Sequence, residues 1–381
     1  MDFTFTEAQE AVSEAASSVF SGRAAPERVA GVEATEDRFD RRLWAELAST
    51  NLLGLAVEER FGGSGLGLVA TCLLLQAQGR QVAPIPLLAT VVLGAMPLAR
   101  FGSEPAKERW LPAVASGDAV LSAAITEVGS FPERAVPLRA REDRGCWRIT
   151  GTARAVPQAH LADRVVAFGR SDEGEDLAFL VDPRGESVEL EREVCTDRQV
   201  HPNMHIDGAR VTSEDLLGAP DGLGARGTAR EVLDWLLLRA RTGLAAMALG
   251  VCEEALVRTA AYLNERQQFG RAISSFQAPL MRAADASLDV EAMRLTLWSA
   301  AWRIDTGRDA AAAVAAAHWW ASEAGQRVVH ATQHLHGGIG ADVSYPIHRY
   351  FLWAKQIELM LGSPAGQLAA LGDLLSGAPG R

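Results

Sequence analysis

The sequence predicts an α+β chain in three blocks: an N-terminal helical domain over 1–122, a small β domain over 123–221 and a C-terminal four-helix bundle over 222–381. Three observations carry that order. Apolar residues repeat at three- and four-residue intervals, between recognisable caps, toward both ends of the chain. The middle switches to short runs cut by Gly, Pro and Asp. Thr228 to Leu263 holds no proline and predicts one helix of roughly 30 or more residues, about 50 Å at ~1.5 Å per residue.

In the first block, Thr6 is placed to cap a helix from Glu7 to Phe20, and Asp40 another from Leu43 to Ala48. The run from Phe61 to Gly67 reads as a flexible loop before a helix from Leu68 to Gly79. It follows no strand and lacks a lysine, so it does not read as a phosphate-binding glycine loop. Leu87 to Arg100 and Pro105 to Ala115 predict two further helices, which Pro97 and Pro112 should kink or shorten.

The middle block offers strands at Cys146 to Thr150, Val165 to Phe168, Leu177 to Val181 and Val188 to Val194, the makings of a small barrel or sandwich. In the last block, helices are expected from Phe276 to Asp305, from Asp309 to Gly337-Gly338, from Pro346 to Gly362, and after the Ser363 cap with Pro364 at its first position. The tryptophans there suit the bundle core or a subunit contact.

The stretch Asn264 to Gln277, NERQQFGRAISSFQ, separates the two longest helices. Gly270 is expected to stop the first, and Ser274 with Gln277 to form a capping box for the second. The connection then displays Arg266, Gln268 and Phe269: a cation, an amide and an aromatic face suited to an anionic, aromatic ligand. The plain alternative is an ordinary helix corner. The pair Glu253-Glu254 reads as a solvated face, and His318 beside Trp319 and Trp320 as packing.

Composition narrows the classes. With 48% hydrophobic and 22% charged residues the chain is an ordinary globular protein, and 37 basic against 48 acidic side chains, a net −11, speak against a nucleic-acid surface. No membrane span or leader is expected from the apolar runs or the start MDFTFTEAQEAV, and four scattered cysteines suit reduced thiols in the cytoplasm. His330 and His334 lie four apart but lack an accompanying carboxylate, so no metal site is expected.

Six stretches in order carry a resemblance to the acyl-CoA dehydrogenase family: ERFGGSGLG at 59–67, AITE at 124–127, RQQFG at 266–270, SSFQ at 274–277, HLHGGIG at 334–340 and YPIHR at 345–349. The resemblance implies the family's fold, FAD, and a tetramer built as a dimer of dimers, with each FAD shared between two subunits. It places Arg266, Gln268, Phe269 and Gln277 where the family reaches a neighbour's cofactor. His334 stands where Gln is usual, beside Gly337 and Gly338, which let a pyrophosphate approach the backbone.

The half that would serve the chain's own flavin departs from the family pattern. Family members take the α-proton of the thioester with a carboxylate; the two positions that supply it are Leu361 and Ala240 here. The family's Trp-Ile-Thr on the flavin ring is Ala155-Val156-Pro157, and the acyl-binding motif survives only as Thr126-Glu127, followed by Val128 to Phe131. The chain thus looks like a non-catalytic subunit, and His334-x-His336-Gly-Gly, HRYFLWAKQ at 348–356 and LGSPAGQL at 361–368 carry a resemblance to that of actinobacterial α2β2 dehydrogenases acting on cholesterol side-chain, that is steroid, acyl-CoA. The resemblance implies a catalytic partner subunit that binds most of the substrate, and electron-transfer flavoprotein as acceptor. The alternatives are a self-sufficient homotetramer with a relocated base (Glu358), a flavin monooxygenase on the same scaffold, or a flavin-free binding protein.

Overall fold

The computed structural model describes residues 4–125, 138–218 and 228–376. Thr126-Glu127, Val128 to Phe131 and the start of the third block at 222 lie outside them. The first block contains α1 (Glu7–Arg23), α2 (Pro26–Glu33), α3 (Arg41–Ser49), α4 (Gly67–Gln81), a π-helical stretch over Leu88–Ala95 that runs into α5 (Met96–Phe101), and α6 (Glu104–Ala115). Thr6 and Gln9 form a reciprocal capping box, and Asp40 accepts from the amides of Arg42 and Leu43. Pro97 sits where the π-helix returns to α-geometry, and Pro112 is absorbed inside α6.

The β block is one mixed sheet of β1 (Leu121–Ala124), β2 (Leu138–Asp143), β3 (Cys146–Ala153), β4 (Arg164–Ser171), β5 (Asp176–Val181), β6 (Val188–Glu191), β7 (Asn203–Val211) and β8 (Leu216–Leu217). Its hydrogen-bonded path runs β6-β7-β3-β2-β4-β5-β8, with β1 also on β4. Arg164 to Ala167 pair with β1 and Gly169 to Ser171 with β2, so β1 and β2 lie end to end along one strand. This is the expected middle sheet domain, and its hydrogen-bonded path is open among the described residues. β4 and β5 are buried almost throughout, which their unbroken apolar runs require.

The last block has α7 (Ala229–Glu265), a hairpin of β9 (Gln267–Gln268) and β10 (Arg271–Ala272), α8 (Gln277–Asp305), α9 (Ala311–His336), α10 (Ile347–Leu359) and α11 (Pro364–Ser376). The expected C-terminal helical domain thus has three long helices and two shorter ones among the described residues. Ser363 Oγ accepts from the Gly366 amide and opens α11 as read. α7 is long and apolar enough to cross a membrane by length and composition, yet 83% of its most apolar stretch is buried inside the protein. Of the nine tryptophans only Trp44 and Trp353 are core residues; the rest are half-buried.

The blocks are locked where α4 crosses α7. A Cβ on Gly79 would lie 2.2 Å from the Met247 carbonyl oxygen, and one on Gly250 would lie 2.0 Å from that of Gln76. The backbones touch, and any side chain forces them apart. Beside this contact Glu253 is buried and takes Gln76 (2.7 Å), Arg80 (2.6 Å) and Arg294 (2.5 Å) from three directions. The expectation of a solvated Glu253-Glu254 face is therefore corrected for Glu253: helical position alone does not reveal that α4 and α8 bring guanidinia to it. Gly250→Ala should lower the thermal unfolding midpoint sharply, at about 1–3 kcal/mol or more for overpacking; an unchanged midpoint would refute the contact.

Candidate functional site

Two regions on α7 matter. At its C-terminal end, Glu265 closes the helix and Arg266 turns extended, φ −72° and ψ 123°. Gly270 does not stop the helix, contrary to expectation. It sits in a two-residue hairpin turn with Phe269, both at positive φ (79° and 53°), between the paired Gln268 and Arg271. Two consecutive left-handed residues are the type I′ solution for a tight hairpin, a signal the RQQFGR stretch carried. The Ser274–Gln277 capping box does not form either. Ser274 lies in a 3-10 turn, and Phe276 precedes α8 without a side-chain cap.

The turn holds Phe269 93% exposed, an aromatic ring in a backbone region that costs it energy. Its inner neighbour is Phe276, edge-on at 6.1 Å, itself covered by the Arg271 guanidinium at 4.0 Å. Arg266, Gln268 and Gln277 are exposed, and no ion pair engages Arg266 among the described residues.

His334, Gly337 and Gly338 arrive at the same end of the bundle. Tyr262, one turn before Arg266, stacks on His336 at 4.6 Å, and Tyr345 packs against both rings. This aromatic cluster ties the end of α7 to the end of α9. His336 donates from Nδ1 to the Thr332 carbonyl (2.8 Å), and burial pushes its pKa down. Gly337 has φ 64° and ψ −141°, open to glycine alone, and a Cβ on Gly338 would meet nothing. His334 is exposed, while His330 packs edge-on against Phe351. No cluster of three metal-ligating side chains occurs among the described residues.

The second region is the middle of α7. Ala240 is fully buried and Leu361 nearly so. The Leu361 carbonyl accepts from Arg241 Nε (3.1 Å) and Gln367 Nε2 (3.2 Å), and the Met360 carbonyl from His318 Nε2 (3.1 Å). Leu361 is held at φ 56° by these bonds. His318 is thus more than packing: it fixes the α10–α11 corner. Glu358, the candidate relocated base, is paired with Lys355 at 2.6 Å.

Ala155-Val156-Pro157 is turned inward. The Ala155 amide donates to Asn203 Oδ1, the Val156 amide to the Pro202 carbonyl, and the Pro157 carbonyl accepts from Ser122. Among the described residues, the cavity where Pro157 meets α7 is about 30 Å³, lined by Ala89, Pro157, Leu244, Met247 and Met360 among others. That holds a water or two, against the roughly 300–1,000 Å³ of a small-molecule site. The carboxylate in its wall is Asp197, which sequence reading missed. It is committed to the Gln199 amide and side chain (3.0 and 3.2 Å) and to His201 (3.1 Å). Nothing in the spacing marks it: a DRQVH stretch after a weak strand looks like a solvated turn.

A helical, sheet and helical architecture around one long central helix, with a glycine-lined, cation-bearing corner, is that of the flavin-dependent acyl-CoA oxidoreductases. The family model of the acyl-CoA dehydrogenase N-terminal domain matches residues 6–118 and that of its C-terminal domain residues 230–374; the chain belongs to the acyl-CoA dehydrogenase family. It is 37% identical to acyl-CoA dehydrogenase FadE27 of Mycobacterium tuberculosis, over all of both chains. Among solved structures it is similar to the ChsE4–ChsE5 complex from Mycobacterium tuberculosis (36% identity, all of both chains, TM-score 0.91). A variant of the Tcur3481–Tcur3483 steroid dehydrogenase is also similar, at 40% identity, 97% of this chain and 98% of that one, and TM-score 0.89.

Two outcomes are expected. Burial, with Arg241 nearby, pushes the His318 pKa down to about 4 from 6.5. The unfolded chain therefore binds a proton that the folded chain refuses, and stability falls as pH drops from 6.5 toward 4, by about 3 kcal/mol at ~1.4 kcal/mol per unit. Denaturant melts across that range should reveal the slope, and His318→Gln should flatten it. Separately, Leu361→Glu or Ala240→Glu, at the positions the resemblance gives to the base, should give no dehydrogenation by the lone chain, since both side chains are buried against protein and the nearby cavity is only about 30 Å³. Turnover by either variant would contradict the closed pocket.

Proposed function

We propose that this chain is the non-catalytic subunit of an α2β2 FAD-dependent acyl-CoA dehydrogenase acting on steroid side-chain CoA thioesters. The observation that carries the reading is an asymmetry along α7. Its middle faces a cavity of about 30 Å³, and Ala240 and Leu361, at the positions the resemblance gives to the base, are buried apolar side chains; its end presents bare Phe269 and an Arg266 with no ion pair among the described residues. FAD, when bound, would supply the hydride acceptor for α,β-dehydrogenation. This chain would grip its far end: Arg266 on the pyrophosphate, Phe269 on the adenine, Gln268, Gln277 and His334 as hydrogen-bonding side chains, and Gly337 and Gly338 as the place where phosphate meets backbone. The partner would bring the carboxylate base, the flavin pocket and most of the substrate site, and electron-transfer flavoprotein would take the electrons. The steroid assignment leans on the similarity to the Tcur3481–Tcur3483 steroid dehydrogenase, and the two-chain assignment on that structure and the ChsE4–ChsE5 complex.

A face for such a partner is available. Leu280, Met281, Leu288 and Leu295 lie bare on one side of α8, and Val257 is bare on α7. Seven-residue steps from 281 to 288 to 295 make a continuous apolar stripe, the kind a subunit contact covers. The relocated-base reading is weakened because Glu358 is held by Lys355, and Asp197, the carboxylate beside the cavity, has its oxygens committed.

Co-expression with the neighbouring dehydrogenase gene should give a yellow complex with about one FAD per pair of chains, and the lone chain should give neither colour nor turnover. Flavin absorbance with activity from the lone chain would end the proposal. In the complex, Arg266→Ala should weaken FAD retention by about 1.5–3 kcal/mol, the worth of a charged hydrogen bond, measured by flavin release on dilution; retention equal to wild type would refute the cross-subunit grip.

A further inference from the structure

A cleft of about 360 Å³ opens at the start of α4, bounded by α5, α6 and the first turns of α7, and none of the proposed cofactor residues lines it. Arg239 stands in its wall with its guanidinium 3.5 Å over the Trp235 ring, and Nη1 donates to the Trp235 carbonyl (3.1 Å). Phe101 packs edge-on against the same ring at 5.3 Å, which fixes the platform under the cation. Arg100 and Lys107 line the cleft with it.

The acids nearby are already engaged. Asp305, the last residue of α8, accepts from the amides of Leu68 (2.9 Å) and Val69 (2.8 Å) and so caps α4. Glu58 accepts from Arg60 at 2.8 Å, and Lys107 is held by Glu104 at 2.9 Å. No carboxylate makes an ion pair with Arg239 or Arg100 among the described residues. Burial pushes the Arg239 pKa down to about 10, against the opposite charge of Asp305 and with the like charge of Arg100. The Trp235 ring and carbonyl and the nearby charge of Asp305 offset part of the hydration that the half-buried Arg239 guanidinium has lost, but no contact anion completes it among the described residues. The larger cleft, of about 470 Å³ between α1, α4 and α8, differs in this respect: its two guanidinia, Arg80 and Arg294, both rest on Glu253.

We propose that the cleft at the start of α4 binds a small, multiply charged oxyanion of the phosphate class, held by the Arg239 and Arg100 forks with Lys107 at its edge. An arginine fork meets a phosphoryl group with two parallel donors, and two forks with a lysine match more than one negative charge. No ring is required of the ligand, because Arg239 already covers the Trp235 face.

The test is calorimetric titration of the purified full-length chain with inorganic pyrophosphate at constant ionic strength, for wild type, Arg239→Gln, Arg100→Ser and Arg266→Ala. Saturable binding is expected, about tenfold or more weaker in the first two variants, the loss of one charged contact, and unaltered in Arg266→Ala. Arg100 is exposed and its replacement leaves the core intact, so Arg100→Ser decides the matter if Arg239→Gln does not fold. Heat that never saturates, or binding undiminished by Arg100→Ser, would overturn the proposal. Loss in Arg266→Ala alone would overturn it too, by placing the anion at the dinucleotide end. Neither flavin content nor turnover enters the readout, so this inference and the subunit assignment fail separately.

Discussion

Everything else is positioned by the contact of two backbones where α4 crosses α7. Gly79 and Gly250 remove the side chains that would hold the helices apart, and carbonyl oxygens of Gln76 and Met247 occupy the space. Such an approach maximises dispersion between the helices but leaves no room for adjustment. Glu253 then adds a charged anchor on the same crossing, reaching α4 through Gln76 and Arg80 and α8 through Arg294. α7 is thereby a fixed rod, with Ala240 and Arg241 in its buried middle and Arg266 at its free end. Both the closed pocket and the exposed corner take their places from it.

The closed pocket is closed by satisfaction as much as by volume. Each backbone group at 155–157 that might have faced a flavin has a protein partner, Leu361 offers its carbonyl to Arg241 and Gln367, and Asp197 organises Gln199 and His201 into a buried polar patch. Buried polar groups with partners resist rearrangement, because every displaced bond leaves an unpaired group behind. One substitution therefore cannot reopen the site. The exposed corner is built on the opposite rule: Arg266, Gln268 and Phe269 are exposed, with Arg266 in no ion pair among the described residues and Phe269 touching only the edge of Phe276, on a hairpin turn that holds them outward.

Local chemistry was legible where it is self-contained. Thr6 with Gln9, Asp40 and Ser363 cap the helices their spacing announced, because a cap needs only three or four neighbouring residues. The short α2 escaped notice since Ala25 offers no side-chain cap and only Pro26 marks its start. Gly270 was misassigned because a positive-φ glycine serves a helix end and a type I′ turn equally well, and only the pairing of Gln268 with Arg271 decides between them. Glu253 and Asp197 were out of reach for a different reason. Their environments are assembled from residues 41 to 177 positions away for Glu253, and from the closing of α7 over the sheet for Asp197. The candidate corner is legible because its cation and ring, Arg266 and Phe269, lie within four residues of the chain; the aromatic cluster of Tyr262, His336 and Tyr345 that holds its two parts together is not.

The bare stripe on α8 also bears on how the cell must make this protein. Leu280, Met281, Leu288 and Leu295 face water for as long as the chain stands by itself, and Phe269 projects beyond them. Surplus copies would find one another through those surfaces and feed aggregation or degradation. Under the proposed two-subunit assembly, selection would then act on dosage, favouring paired synthesis of both polypeptides from one transcript over independent control.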